Sequence, residues 1–161
     1  MSATAQIYAV LMALEGDSLL LPNVAVAEVV QRERVQAPEP GAPEWFAGYL
    51  DWNSRRVPVI CFEILNGGKT TGRSRRDRVA IINSVGTHLP SGVFGIITQG
   101  YPHLVTLNRT AIKSVPARDG DRLQLQAARV KIASQEALIP DLSVIEADIT
   151  RMAGLLSAAA A

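Results

Sequence analysis

Short apolar runs separated by turn-forming residues make up most of the chain as far as Pro140. Ile7–Leu14 is the first run, Glu15-Gly16-Asp17-Ser18 interrupts it, and Leu19-Leu20-Leu21 resumes. Gly and Asp supply the backbone angles and local hydrogen bonds that a tight turn needs. This predicts a hairpin with strands covered on both faces, ended by Pro22, which has no N–H for the ladder. Asn23–Val30 fits two states. Asn23 can cap a short helix with Val26, Val29 and Val30 on one face, yet the valines also suit a strand. The balance predicts about two helical turns near Asn23–Val30, passing into a strand near Val29–Val35.

Pro38-Glu39-Pro40-Gly41-Ala42-Pro43 is a loop that neither a helix nor a central strand can hold. A second hairpin follows, with Trp45–Trp52 and Val57–Phe62 as strands around Asn53-Ser54-Arg55-Arg56. Pro58 places its strand at an edge or a bulge. Asn66–Asp77 is polar, basic and glycine-containing, a natural boundary. Further apolar runs are Arg78–Ser84, Gly92–Thr98 and Leu104–Leu107, and Ala127–Ala133 with Ala137–Ile139 predicts a last hairpin. From Leu142 the spacing becomes helical, through Ile145, Ile149 and Met152. The tail Leu156–Ala161 is expected to fray.

The two halves look alike, each opening on strand–turn–strand and closing on a hairpin with an apolar-Pro-apolar strand. An all-β protein of two small barrels side by side accounts for this. The expected division is one domain, 1–161. Within it, subdomain one covers about 5–66, a connector 67–77, subdomain two about 78–148, and a C-terminal helix and tail 142–161.

Composition narrows the function classes. With 161 residues, 48% apolar and 19% charged, the chain can bury a real core and disorder is excluded. The net charge of +1 gives no reason to expect a polyanion or a membrane surface as partner. Ile7–Leu14 is too short to span a bilayer, and no basic stretch precedes it as in a signal peptide. A cytoplasmic protein is expected. Cys61, the single cysteine, lies between Ile60 and Phe62 and reads as a buried strand thiol.

No catalytic constellation emerges. Gly67-Gly68-Lys69-Thr70-Thr71 resembles a phosphate loop only in part, because Glu63 stands where the first glycine belongs. His88 and His103 adjoin presumed loops, without cysteines or carboxylates at metal-ligand spacing. Arg73, Arg75, Arg76 and Arg78 form a basic run that lacks the interleaved aromatics of a nucleic-acid groove. Glu28, Glu63, Asp141 and Glu146 are scattered rather than paired as acid and base. The expectation is a binding protein that needs no cofactor and is not an enzyme. A small ligand- or nucleic-acid-binding barrel is the rival.

The stretch from Ala42-Pro43-Glu44-Trp45 through Gly48 to Val57-Pro58-Val59-Ile60 resembles the CheW-like adaptor domain of bacterial chemotaxis. That family carries an Ala-Pro-x-aromatic segment, a Gly, an Asn-Leu-Arg-Gly-type turn and then Val-Pro before two apolar residues and Asp. Upstream, Glu28 falls in the glutamate slot of a Val-x-Glu-Ile segment, and Leu138–Leu142 is similar to the closing strand. The resemblance implies two five-stranded SH3-like barrels. It also implies a non-enzymatic adaptor that couples a chemoreceptor's cytoplasmic tip to the regulatory domain of a CheA-type histidine kinase. It points to Glu28, Asp51, Asn53, Arg55, Arg56, Val57, Pro58 and Val59 as protein-binding residues, the Val57–Phe62 strand offering an apolar patch flanked by arginines.

Departures from the family pattern are Asp51 for Asn, Asn53 for Arg, Ser54 for Gly and Cys61 for Asp. Arg55 or Arg56 then takes the place of the turn arginine, with a displaced guanidinium. That suits a divergent or accessory adaptor, of the kind serving type IV pilus and twitching systems, recruited to membrane-bound receptor arrays without entering the membrane.

Overall fold

The computed structural model describes residues 6–70, 72 and 74–160. The first hairpin is β1 (Gln6–Ala13) and β2 (Ser18–Pro22), paired from Ala9↔Pro22 to Ala13↔Ser18. All four residues of Ser18–Leu21 are buried, as strands covered on both faces require. The segment after Pro22 differs from expectation. A single 3-10 turn, Asn23–Ala25, replaces the two helical turns, and β3 (Val26–Gln31) starts at once. No side chain caps the turn, and the β-branched valines pair instead with a neighbouring strand.

The middle of the chain supplies β4 (Phe46–Trp52), β5 (Arg55–Ile60), the one-turn α1 (Phe62–Leu65), β6 (Asp77–Asn83) and β7 (Val93–Gln99). The rest supplies β8 (His103–Asn108), β9 (Ile112–Val115), β10 (Gln126–Ile132), β11 (Gln135–Pro140) and α2 (Leu142–Ala160). The strands form two sheets. One has five strands in the order β3-β6-β7-β5-β4, the other six in the order β8-β1-β2-β11-β10-β9.

The sheets do not follow the sequential division at 67–77. The six-stranded sheet joins both ends of the chain, since β1 pairs with β8 and β2 lies parallel to β11 at Leu19↔Leu138. The five-stranded sheet is a continuous insertion, and the expected boundary falls inside it, between α1 and β6. The physical reason is burial: β2 needs a second neighbour besides β1, and β11 brings one. The tail expected to fray is helical as far as Ala160, with Ala161 outside the described residues.

Each sheet curls around its own interior. Val30, Leu50, Val57, Val59, Val79 and Ile81 fill the five-stranded one. Leu107 of β8 and Val130 of β10 share the interior of the other with Ile112 of the far edge strand β9. The five-stranded barrel closes where Gln36 exchanges backbone hydrogen bonds of 2.7 and 3.1 Å with Tyr49. Gly48 permits that approach: at φ +129°, a Cβ there would stand 1.9 Å from the Gln36 carbonyl oxygen. Between the barrels lies a third core, where Met12, Leu19, Phe46, Ile60, Phe94 and Leu138 meet the α2 residues Ile145, Ile149 and Met152.

Polar anchors hold this arrangement. Asp141 caps α2 by accepting from the N–H groups of Ser143 and Val144. Glu146, buried on α2, accepts from the Ser84 hydroxyl and from the N–H groups of Val85 and Gly86, fixing the helix to the β6–β7 loop. On β10, Arg129 has a fully buried side chain that donates to both Asp17 oxygens at 3.0 and 2.9 Å and to Asp121 at 3.0 and 3.2 Å. It ties the first turn of the chain to the last hairpin.

Burial pushes the Asp121 carboxyl up, but the Arg118 N–H, Asn66 and Arg129 outweigh it and hold the group below its ordinary 3.8. The folded carboxyl is therefore the more acidic, so its contribution to stability is full above the ordinary value and is lost as pH falls through the folded one. Two outcomes are expected. Urea titration of Arg129→Met should show a loss of about 3–5 kcal/mol, as for a broken buried pair. Asp121→Asn should flatten the fall in stability below about pH 4; an acid profile identical to that of the parent chain would refute the assignment.

Candidate functional site

The β4–β5 hairpin is built by its turn. Trp52 pairs with Arg55, so only Asn53 and Ser54 connect the strands, at φ 48° and 61°. Two successive left-handed residues define a type I′ turn, which matches the twist of the strands it joins. Glycine is the residue best suited to such angles, and Ser54 adopts them while carrying a side chain. The turn thus presents no guanidinium itself, and the arginines stand on the strand that follows.

Those arginines are exposed and ordered by neighbours. Arg56 lies over the Tyr49 ring at 4.0 Å, and Arg55 lies 6.0 Å from the Trp52 ring while donating to the Ser91 carbonyl at 3.2 Å. Arg34 donates to the Asp51 carbonyl at 2.6 Å, bracing the hairpin from the strand-closing segment. Among the described residues, ion pairs engage Arg32, Arg118, Arg122, Arg129 and Arg151. Arg55 and Arg56 have no carboxylate at that distance, although Asp51 is the cross-strand partner of Arg56. The hairpin therefore offers two positioned, uncompensated cations.

The structure brings Asp51, Asn53, Arg55 and Arg56 together on exposed surface around this turn. It does not do so for Val57 and Val59, which have no exposed surface and fill the barrel interior. Pro58, on the opposite face, is also buried. The expected apolar patch on an edge strand is thus absent, because β5 lies between β4 and β7. Proline is tolerated there for a local reason. Tyr49, opposite Pro58, bonds away to Gln36, so the Pro58 nitrogen faces the β7 side, where pairing starts only at Val59↔Gly95. Glu28 is exposed on β3, at the other end of the strand order from β4.

Beside the hairpin runs a groove of about 600 Å³. Tyr49, Arg56 and Pro58 form one wall and Ala153, Gly154 and Ser157 of α2 the other. Sequence reasoning did not associate α2 with the hairpin; its only signal was the small residues Ala153, Gly154 and Ser157 at helical spacing after Met152.

The remaining candidates resolve as follows. Gly68 donates its N–H to the Glu63 carbonyl beside a helix of one turn, and Thr71 is outside the described residues. Arg75 and Arg76 are exposed, Arg78 stacks on Tyr101 at 5.1 Å, and Arg73 is outside the described residues. His88 is exposed beside Leu89, and His103 is exposed at the start of β8. Cys61 is buried just after β5, at the foot of α1 rather than within a strand. Burial first, and then Glu63, push its thiol up to about 11. No helix among the described residues is long and apolar enough to cross a membrane.

Two interlocked barrels with a C-terminal helix packed between them form a double-barrel domain of the scaffold-adaptor class. Residues 9–148 match the CheW-like domain family, and the chain belongs to it. The fold is similar to the crystal structure of the scaffolding protein TtCheW from Thermoanaerobacter tengcongensis. The TM-score is 0.71 and the identity 19%, with 87% of each chain covered. No curated protein matches the chain.

The raised thiol has a measurable outcome. Near pH 7.5 iodoacetamide should label folded Cys61 about 100-fold more slowly than the urea-unfolded chain, since only thiolate reacts. Equal rates would show the thiol to be neither buried nor raised.

Proposed function

We propose that this chain is a non-enzymatic chemosensory adaptor that couples the cytoplasmic tip of a chemoreceptor to the regulatory domain of a CheA-type histidine kinase. It works in the cytoplasm, recruited to membrane-bound receptor arrays. The observation that carries the reading is the β4–β5 hairpin of a CheW-like domain, with Arg55 and Arg56 held in place and uncompensated. Arginine beside an aromatic is a frequent source of binding energy, because its planar fork loses little freedom on pairing with a carboxylate. Asp51 and Asn53 extend this surface, and Glu28 offers a separate contact on β3. Val57 and Val59 serve from within, keeping the strand in register.

The Asn53-Ser54 turn moves the cations off the tip and onto the strand, which supports an accessory role over that of the main adaptor. A type IV pilus or twitching system is the setting we favour.

Co-purification with the kinase and receptor of the same cell tests this reading. Arg55→Glu with Arg56→Glu should weaken kinase capture at least tenfold, roughly 1.4 kcal/mol, with an unchanged circular dichroism spectrum. Capture of both partners by another adaptor in the same lysate, and by this one not at all, would remove the reading's support.

A further inference from the structure

The CheW-like match ends at residue 148, inside α2, yet the helix continues to Ala160. Those further turns stand against the hairpin rather than apart from it. Ala153, Gly154 and Ser157 face Tyr49, Arg56 and Pro58 across the groove of about 600 Å³, with Leu89 and Ile149 beneath. The space is of the size that holds a docked side-chain cluster or small ligand. It remains open because the helix puts small residues there.

The far wall is rigid. Glu146 pins α2 to the β6–β7 loop, Asp148 pairs with Arg122, and Ile149 and Met152 are in the shared core.

Two arginines, one of them at the edge, against one carboxylate give the groove a small excess of positive charge. Arg56 lines it, and Arg55 reaches its edge by donating to Ser91. His88 also lines it, as does the carboxylate-bearing Glu39, which is exposed on the Pro38–Pro43 loop and makes no ion pair with Arg56. No acidic side chain of α2 lies along this groove. An apolar floor beside a preoriented, unpaired guanidinium complements an apolar segment that carries a carboxylate.

We propose that the C-terminal part of α2, from Ile149 onward, forms with the β4–β5 hairpin a composite docking groove that receives an acidic, apolar segment of the kinase regulatory domain. This rests on the adaptor reading for the identity of the partner. The hairpin supplies the cation, and α2 supplies the wall that selects by shape.

Gly154 gives a clean test, since a Cβ placed there meets nothing within 4 Å. Calorimetric titration of the intact chain with the kinase regulatory domain should show at least tenfold weaker binding for Gly154→Trp and for Ser157→Trp. Ala147→Trp, equally bulky but on the exposed α2 surface outside the groove, should bind as the parent does. Thermal melting of each variant checks the fold, and the parent's affinity should fall with added salt. If the parent binds and both groove-filling variants bind equally well, the groove is overturned while the adaptor reading stands. If the parent does not bind the regulatory domain, the adaptor reading fails and takes the groove with it.

Discussion

A guanidinium with no exposed side-chain surface, bonded to two aspartates, sits at the point where the ends of this fold meet. Taking three charges out of water is costly, and the cluster persists because Arg129 donates to all four carboxylate oxygens at once. Asp17 is in the first turn and Asp121 precedes β10, so the same bonds hold the six-stranded barrel together across most of the chain. Hydrophobic burial alone would accept several registers between such apolar strands. A fully satisfied buried charge accepts one.

The shared core explains why so few polar positions interrupt the strands. Alternate residues of β5 illustrate it: Val57 and Val59 enter the barrel, while Ile60 joins the layer between the barrels and α2. A strand with both faces covered loses the alternation that marks a surface, and what remains in contact with solvent is its exposed start. The strand's exposed charge is therefore concentrated at the hairpin's turn end, where Arg55 and Arg56 emerge from a buried strand.

Local chemistry was legible in the chain, and long-range pairing was not. Gly16-Asp17, Asn53-Ser54 and Ser134 mark turns by their own backbone preferences, so the three hairpins could be read directly, as could α2 from the spacing of Ile145, Ile149 and Met152. The exchange of strands between halves depends on four pairings, β1 with β8, β2 with β11, β3 with β6 and β5 with β7, which leave no trace in local pattern. Pro58 pointed to an edge because its missing N–H usually does; here β7 begins its pairing one residue later. Arg129, a charged residue inside the apolar Ala127–Ala133 run, was the one visible sign of the buried cluster. Its partners could not be named without the fold.

The nested order of the strands bears on how the chain is made. The central barrel, from β3 to β7, is contiguous and can condense as soon as it leaves the ribosome. The β1–β2 hairpin is synthesised earlier but must wait for β11, because Leu19 has no neighbour on that side until Leu138 exists. Closing so long a loop is slow, and an apolar strand with an open edge is the species most prone to misassociate meanwhile. Nascent chains are therefore most vulnerable between the emergence of β2 and that of β11, while the earlier strand still lacks its later neighbour.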